Sequence, residues 1–221
     1  MEQKLVFFID VDNTLLNNDL VKEEIRRSLA SGLGKEEAQH FWRHHDAFRE
    51  RTALVDFPAI TRGYCAERHA NTCDLVVGNI FTAIAFERAL YKDALNAVFH
   101  LRTMGRVFVF SEGDMVYQRQ KIEKSGIAAA ADGVLLYEHK LDHLSDIEKE
   151  HQDAVLVFID DKDDTLLHIK QRLPHAVTVV VCQGHYAKEN CPMSHRADLV
   201  AGSVGDLMHY SALDFLSGNA A

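Results

Sequence analysis

Five short apolar segments, separated by helical patterns, constrain the fold more than any other feature of this sequence. They are rich in Val, Ile, Leu and Phe and are predicted to form buried strands over residues 4–10, 106–111, 133–137, 155–160 and 177–182. Their apolarity is nearly continuous rather than alternating, which is typical of a parallel sheet covered on both faces. Two of the helical patterns end at Gly105 and Gly126, where glycine is the expected stop. The alternation predicts an α/β core with a doubly wound, Rossmann-like parallel sheet.

Residues 17–88 interrupt this alternation directly after the first strand. They carry helical periodicity and no convincing strand. Within them, Asp56 is suited to cap a helix that has Pro58 in its first turn. We therefore predict a small all-helical domain inserted into the core.

The overall charge argues against two broad classes of partner. The 221 residues carry a formal net charge of -9, so no overall positive field exists to attract nucleic acid or an anionic membrane surface. No segment approaches the ~20 apolar residues that a membrane-spanning helix needs. Hydrophobic residues make up 47% of the chain, enough to bury a substantial core. We expect a soluble cytoplasmic protein, a monomer or homodimer, that binds neither nucleic acid nor membrane.

Four cysteines raise the question of disulfides. They are Cys65, Cys73, Cys182 and Cys191. In a chain of this length without a secretory signal, they fit buried or surface thiols better than a disulfide framework.

Two groupings of cysteine and histidine have spacings that suggest zinc binding. For both, a role in packing without a metal is favoured. The groupings are Cys182, His185, Cys191 and His195, and Cys65, His69 and Cys73. Cys182 ends a predicted strand and is expected to face the core. The second grouping repeats every four residues along one helix face, which suggests packing as readily as ligation.

Polar residues cluster where three of the predicted strands end. The clusters are Asp10 with Asp12, Ser111 with Glu112 and Gly113, and Asp160 with Asp161 and Asp164. Any one of them has a plain alternative role as the cap of the following helix. Because the carboxyl ends of parallel strands line one crevice, we expect the three clusters to converge. Several carboxylates at one site need a cation to offset their repulsion, and oxygen ligands together with phosphate are what Mg²⁺ prefers.

These residues carry a resemblance to a known family. The segments "DVDNT", Ser111 with the "EGD" after it, Lys140 in "YEHKLDHL", and "FIDDKDD" resemble, in order and spacing, the four motifs of the haloacid dehalogenase (HAD) superfamily of phosphotransferases. The helical insertion resembles the first type of cap domain in that family, and "CQGHYA" followed by "RADLVAGSVGDL" resembles its closing strand and helix. The resemblance implies a HAD-like core over residues 1–16 and 89–221, with a helical cap over 17–88.

The resemblance also implies catalytic roles. Asp10 would be the nucleophile that forms an aspartyl-phosphate. Asp12 would protonate the leaving oxygen and then activate water. Lys140 would balance the charge of the phosphate and of Asp10, and Ser111 would donate its hydroxyl to a phosphoryl oxygen. Further contacts to the phosphate are expected from Thr14, Glu112 and Gly113.

Magnesium is the implied cofactor. Its expected ligands are the Asp10 carboxylate, the backbone carbonyl of Asp12 and Asp160, with Asp161 and Asp164 as further candidates. Two registers are possible for the last motif, starting at Asp160 or at Asp161. Asp160 is preferred because it ends the apolar run and has Asp164 four residues later.

Two further departures from the family pattern concern single residues. Asn13 stands where many members have glycine, a change that asparagine's tolerance of left-handed backbone makes acceptable. No proline follows Lys140, so Lys121, Lys124 and Lys162 are rivals for its role. Lys140 is preferred because it alone lies between a predicted strand and a predicted helix.

The predicted cap also contains basic residues suited to an anion. They are Arg43, His44, Arg49 and Arg51, of which Arg43 and Arg49 are the preferred substrate contacts. A solvated helix face is the alternative for each of them.

The resemblance implies a Mg²⁺-dependent phosphohydrolase that acts on a small phosphorylated metabolite. Asp12 is the reason for preferring a phosphoester substrate. Family members that release halide lack this second carboxylate, and those that cleave phosphonates replace it. A phosphomutase would use the same intermediate and remains the alternative enzyme. A catalytically silent relative that binds a phosphorylated ligand is a third possibility. Receiver domains also group aspartates around Mg²⁺, but their motifs follow a different chain order and they lack a helical insertion.

Overall fold

The sheet has six parallel strands in the part of the chain that the structure describes. The computed structural model describes residues 4–52, 55–68, 73–185, 187 and 197–218. The strands are β1 (Lys4–Ile9), β2 (Gly105–Glu112), β3 (Gly133–Tyr137), β4 (Ala154–Asp160), β5 (Val177–Val181) and β6 (Leu199–Ala201). Their spatial order is β3-β2-β1-β4-β5-β6, and each neighbouring pair is parallel. The predicted α/β doubly wound core is confirmed, and β6 adds a strand within the segment that resembles the family's closing strand and helix.

Both faces of the sheet are buried, as the continuous apolar runs predicted. On β1, Phe7 and Ile9 face one side, whereas Val6 and Phe8 face the other. This alternation follows from the two-residue period of a strand. Helices cover both faces, which explains why most buried positions of these strands are apolar on either side.

Helices occupy most of the remaining described residues. The α-helices are α1 (Asn18–Leu33), α2 (Lys35–Thr52), α3 (Phe57–Ala66), α4 (Cys73–Thr82), α5 (Ala94–Arg102), α6 (Tyr117–Lys124), α7 (Ile127–Ala130), α8 (Leu144–Glu150), α9 (Asp163–Arg172) and α10 (Ala212–Ser217). Three short 3-10 helices span Phe86–Ala89, Lys140–His143 and Val204–His209. Among the described residues, none of the helices has the length and apolarity needed to cross a membrane.

Glycine ends one of the two helical patterns as predicted. Gly126 follows α6 with a φ of 84°. Gly105, in contrast, is the first residue of β2, and α5 ends at Arg102. A Cβ atom at Gly105 would lie 2.1 Å from the carbonyl oxygen of Leu5. This glycine therefore permits the close approach of two strands, which the sequence pattern did not reveal.

Helices α1 to α4 lie within the predicted insertion of residues 17–88. The chain leaves and re-enters the core at adjacent points, because the Asn17 N–H donates to the Ala89 carbonyl at 2.8 Å and the Tyr91 N–H donates to the Leu15 carbonyl at 3.0 Å. Asp56 caps α3 as predicted, accepting a hydrogen bond from the Ala59 N–H at 2.7 Å. Two paired hydrogen bonds at the base anchor the helical region to the core.

The expectation that the cysteines are thiols is wrong for the described ones. Cys65, at the end of α3, forms a disulfide with Cys73, at the start of α4. Their Cα atoms are 5.5 Å apart, within the range that a disulfide requires. Cys182 is disulfide-bonded as well. The prediction failed because it argued from cellular compartment, whereas the packing of two helices brings these sulfur atoms together.

Neither zinc grouping gains support from this arrangement. A sulfur atom engaged in a disulfide is not the thiolate that zinc binds. His69, Cys191 and His195 lie outside the described residues.

Candidate active site

The predicted catalytic residues meet where β1 and β4 end side by side. The Asp10 N–H donates to the Ile159 carbonyl at 2.9 Å, which extends the pairing of these strands by one residue. Asp10 therefore lies beside Asp160, the last residue of β4. From β1 the chain continues to β2 and β3 on one side of this pair, and from β4 it continues to β5 and β6 on the other side. Ligands of open α/β sheets bind where the strand order reverses in this way.

Lys140 joins the two aspartates. Its buried Nζ donates to Asp10 Oδ1 and to Asp160 Oδ2, both at 2.7 Å. Its backbone N–H donates to Glu112 Oε2 at 3.1 Å, which fixes the start of its 3-10 helix against the end of β2. Burial alone would lower the pKa of Lys140, but the carboxylates of Asp10 and Asp160 outweigh burial and raise it. The ammonium therefore stays charged.

The carboxylates at this edge are crowded. Burial, followed by the charge of Asp160, raises the pKa of Asp10 to about 6, although Lys140 opposes this shift. The low reference value that the sequence suggested for Asp10 is therefore changed by its burial, yet the group still ionises below neutral pH. Burial and the charges of Asp160 and Asp10 raise the pKa of Asp161 to about 9. Lys140 and Lys162 oppose these shifts but do not offset the three acidic groups.

The crowding fits a divalent cation. Carboxylate oxygens of Asp10, Asp160 and Asp161 lie within 4.8 Å of one another, and an oxygen-only donor set suits Mg²⁺. The Asp160 carboxylate is further oriented by the Lys162 N–H, 2.9 Å from its Oδ1. Asp164 is exposed on α9 and does not belong to this group of described residues. The site thus brings together three of the five expected ligands through their side chains.

A second network holds Asp12 on the other side of Asp10. Lys121 Nζ donates to Asp12 Oδ1 at 2.6 Å and to Asn18 Oδ1 at 3.1 Å. Gln118 Nε2 donates to Asp12 Oδ2 at 3.2 Å and to Ser111 Oγ at 2.8 Å. Both donors are almost completely buried. One amide group therefore couples the first motif to the second, and one ammonium couples Asp12 to the first residue of α1.

The rival lysines have separate positions. Lys121 contacts Asp12, and Lys124 is exposed with its Nζ 2.7 Å from the Thr82 carbonyl oxygen. Lys162, directly before α9, lines the cavity beside Asp12 that is described below. Among these four lysines, Lys140 makes the contact to Asp10 that the resemblance implied.

The residues expected at the phosphate differ in their hydrogen-bond partners. Ser111 is buried, and because its oxygen accepts from Gln118, its own hydrogen is left to be donated. The Gly113 N–H, expected to donate to the phosphate, instead donates to the Tyr137 carbonyl at 2.9 Å because β2 and β3 pair there. Thr14 is buried, and its hydroxyl makes no hydrogen bond to any described residue. Asn13 has a φ of 63°, the left-handed backbone geometry that asparagine was expected to tolerate at this position.

A cavity of about 430 Å³ opens next to Asp12, between the helical region and the sheet edge. Its lining includes Lys22, His45 and Arg49 from the helical region. Arg43 is exposed and does not line this cavity. The two arginines preferred from the sequence are therefore separated, and only Arg49 lies at the cavity.

The other two basic residues of that helical segment have local partners. His44 Nε2 lies 3.1 Å from Glu67 Oε2, and the Arg51 guanidinium lies 5.4 Å from the Phe48 ring centroid. Neither lines the cavity.

Sequence reasoning missed Gln118 and Lys22 and gave Lys121 no role of its own. Gln118 and Lys121 are three residues apart on α6, the helix that follows the second motif, so they share one helix face. That spacing is a usable signal for both. Lys22 carries no comparable signal, because nothing in the sequence of α1 states which face turns toward the sheet.

Comparisons with known proteins agree with this geometry. No protein-family model matches the chain, and no curated protein matches it. The structure is similar to that of a haloacid dehalogenase-like hydrolase from Burkholderia xenovorans LB400, with 30% sequence identity, a TM-score of 0.83 and coverage of 95% of this chain and 99% of that one.

More distant structures share the fold alone. The L-2-haloacid dehalogenase from Xanthobacter autotrophicus is 15% identical, with a TM-score of 0.58 over 94% of this chain and 97% of that one. The HAD hydrolase YfnB from Bacillus subtilis, bound to magnesium, is 12% identical, with a TM-score of 0.62 over 94% and 98%. Since the 30% identical relative aligns over nearly the full length of both chains and the acidic cluster lies at the switch point of the sheet, this chain belongs to the haloacid dehalogenase-like hydrolases.

Proposed function

We propose that this hydrolase is a Mg²⁺-dependent phosphatase that cleaves the phosphoester of a small metabolite. The observation that carries the proposal is the second carboxylate, Asp12, held by Lys121 and Gln118 in a fixed orientation and linked through Gln118 to Ser111. A phosphoester needs a proton on its leaving oxygen, whereas a halide leaves as a stable anion. A fixed acid beside the nucleophile therefore favours phosphoester cleavage over dehalogenation.

The first half-reaction forms a bond from an Asp10 carboxylate oxygen to phosphorus and breaks the phosphorus–oxygen bond of the ester. The leaving alkoxide takes the proton of Asp12. Lys140 stays beside Asp10 and balances the negative charge of the phosphoryl group that is transferred. The Ser111 hydroxyl, with its oxygen already accepting from Gln118, donates to a phosphoryl oxygen.

In the second half-reaction, Asp12 takes a proton from water. The water oxygen then bonds to phosphorus, the bond to Asp10 breaks, and inorganic phosphate is released. The free enzyme is restored with Asp12 protonated for the next ester.

Magnesium would be held by Asp10, Asp160 and Asp161, whose crowded carboxylates need a counter-charge. It would supply electrostatic stabilisation to the phosphoryl oxygens. The fold relative YfnB is bound to magnesium, which supports magnesium as the metal.

The test is phosphate release from aryl, sugar, nucleotide and small-acid phosphates, with Mg²⁺ or with EDTA. We expect turnover that depends on the metal and falls to background in Asp10→Asn. Asp12→Asn should lower turnover of alkyl phosphates about 10²–10⁴-fold, the usual loss when general acid catalysis is removed. Its effect on p-nitrophenyl phosphate should be smaller, because that leaving group needs little protonation.

Asp153→Asn is the matched control, because this exposed aspartate precedes β4 at the opposite edge of the sheet. It should keep wild-type turnover. Chloride release from L-2-chloropropionate without phosphate release from any ester would reject the phosphatase in favour of a dehalogenase.

A further inference from the structure

The wall of the cavity that helices α1 and α2 form, called the cap-side wall below, carries positive charge that the proposed reaction does not use. Lys22 lies on α1 and Arg49 on α2, and both line the cavity. Neither forms an ion pair with another residue in the described ranges. These two cations approach the cavity from the side opposite the sheet edge.

Three of the four carboxylates that line the cavity lie on the core side and have hydrogen-bond partners of their own. Asp12 is paired with Lys121, and Glu112 accepts the Lys140 N–H. Asp114 accepts from the backbone at the start of α6, 2.6 Å from the Tyr117 nitrogen. Asp19, exposed in the first turn of α1, is the remaining carboxylate on the cap side. The cap-side wall therefore has two cations against one carboxylate.

The position of Lys22 makes an anion favourable there. The residue is half-buried, and burial lowers the pKa of Lys22; Asp19 and Asp12 oppose this shift, and Arg49 and Lys121 add smaller contributions in the same direction as burial. A partly desolvated ammonium is stabilised when an anion enters.

The cavity also has an aromatic wall and the size of a ligand site. Tyr117 lines it and is almost completely buried. The volume of about 430 Å³ lies within the range of small-molecule sites.

We propose that the substrate carries a second anionic group, a carboxylate or a second phosphate, which Lys22 and Arg49 bind while the reacting phosphoryl group lies at Asp10. This inference rests on the proposed phosphatase function and names the class of substrate for that site. The scissile ester and the second anion are then the two ends of one small molecule. Asp12 protonates the oxygen between them.

The test compares pairs of phosphoesters that differ only in the second charge. One pair is 3-phosphoglycerate and glycerol 3-phosphate, where a carboxylate replaces a hydroxymethyl group. The other is propane-1,3-diol bisphosphate and 3-hydroxypropyl phosphate. We expect kcat/KM to be about tenfold or more higher for the doubly anionic member of at least one pair, the size of a charge-assisted hydrogen bond. The pair that shows the preference identifies the anion.

Lys22→Met and Arg49→Gln should each lower that ratio about tenfold, mainly through KM, since each removes one charge-assisted contact. Lys35→Met is the matched control. Lys35 is an exposed cap lysine at the start of α2 that does not line the cavity, and its variant should keep the wild-type ratio.

The outcomes separate the two proposals. Equal kcat/KM values within both pairs, or a ratio that neither cavity variant changes, overturns the inference while turnover of the singly charged esters still supports the phosphatase. Absence of turnover for all four esters and for p-nitrophenyl phosphate overturns the phosphatase, and the inference with it.

Discussion

At the scale of single residues, two buried lysines form ion pairs with different carboxylates of the acidic site. Lys140 binds Asp10 and Asp160, and Lys121 binds Asp12. A buried carboxylate left without its cation is strongly destabilised, because the charge then lacks both water and a partner. Each lysine therefore fixes the position of the carboxylate that it contacts, and Lys121 stabilises the charge that Asp12 acquires when it gives up its proton.

Replacing Lys121 tests this division. In Lys121→Met, Asp12 loses the ammonium at 2.6 Å, and we expect kcat/KM for alkyl phosphates to fall about tenfold or more, because a hydrogen bond between charged groups is lost. Lys124→Met, which changes an exposed lysine of the same helix, should stay within about twofold of wild type. Steady-state kinetics on both variants measures the difference.

A Lys121→Arg variant that regains activity relative to Lys121→Met would support the ion pair as the cause. Equal activity of Lys121→Met and wild type would show that Gln118 alone suffices to orient Asp12.

At the scale of elements, α2 packs through an aromatic cluster that contains a buried histidine. The His45 ring centroid lies 4.8 Å from that of Trp42 and 5.6 Å from that of Phe57. Its Nδ1 lies 2.9 Å from Asp46 Oδ1. Burial lowers the pKa of His45. The hydrogen bond and charge of Asp46 oppose this shift, whereas Arg49 and Lys22 lower the pKa slightly further. The cluster therefore favours a neutral imidazole.

This shift predicts how stability depends on pH. The folded pKa of His45 lies below the unfolded value of 6.5, so below pH 6.5 the unfolded chain binds the proton more readily. The His45 contribution to the free energy of unfolding is then complete above pH 6.5 and decreases as the pH falls below it. Urea unfolding of wild type and His45→Gln at pH 5, 6 and 7.5 measures the difference.

The variant lacks this titration, so wild type should lose more stability than His45→Gln between pH 7.5 and pH 5. A parallel loss in both proteins would assign the effect to other groups.

At the scale of the whole molecule, the helical region and the sheet form one packed unit around the cavity. Phe57 on α3 packs on Tyr117 on α6, with ring centroids 4.6 Å apart. Their residues belong to a hydrophobic cluster that runs from β1 into α2 and α3. Because the acidic site lies at the edge of this same packed unit, a ligand that stabilises the site should stabilise the whole fold.

Magnesium binding should therefore raise the melting temperature. A ligand that binds only the folded state at one hundred times its dissociation constant adds about 2.7 kcal/mol to the free energy of unfolding. For a chain of this size that corresponds to roughly 5–10 °C. Calorimetry in MgCl₂, with EDTA and with KCl of equal ionic strength as controls, measures the shift without reference to activity.

Two substitutions distinguish the candidate ligands. Asp161→Asn should abolish the Mg²⁺-induced shift and should also raise the melting temperature of the metal-free protein, because it removes one of the crowded carboxylates. Asp164→Asn should keep the shift. A shift retained in Asp161→Asn and lost in Asp164→Asn would reverse the assignment of ligands.

The sequence by itself determined the strands, the helical insertion and the placement of Asp10, Ser111 and Asp160 at strand ends. These features follow from local patterns, namely continuous apolar runs, helical periodicity and the capping residue Asp56. The family motifs then indicated which polar residues belong to one site. The left-handed backbone at Asn13 was also predictable, because it depends on a single residue type.

Only the tertiary structure decided which of these residues touch. Lys140 and Asp10 are 130 positions apart and Lys121 and Asp12 are 109 apart, and no local pattern encodes which lysine reaches which carboxylate. The same holds for the cysteine pair of α3 and α4 and for Lys22 at the cavity. Periodicity states that a helix has a polar face, but the packing of that helix against the sheet decides which polar residue meets the substrate.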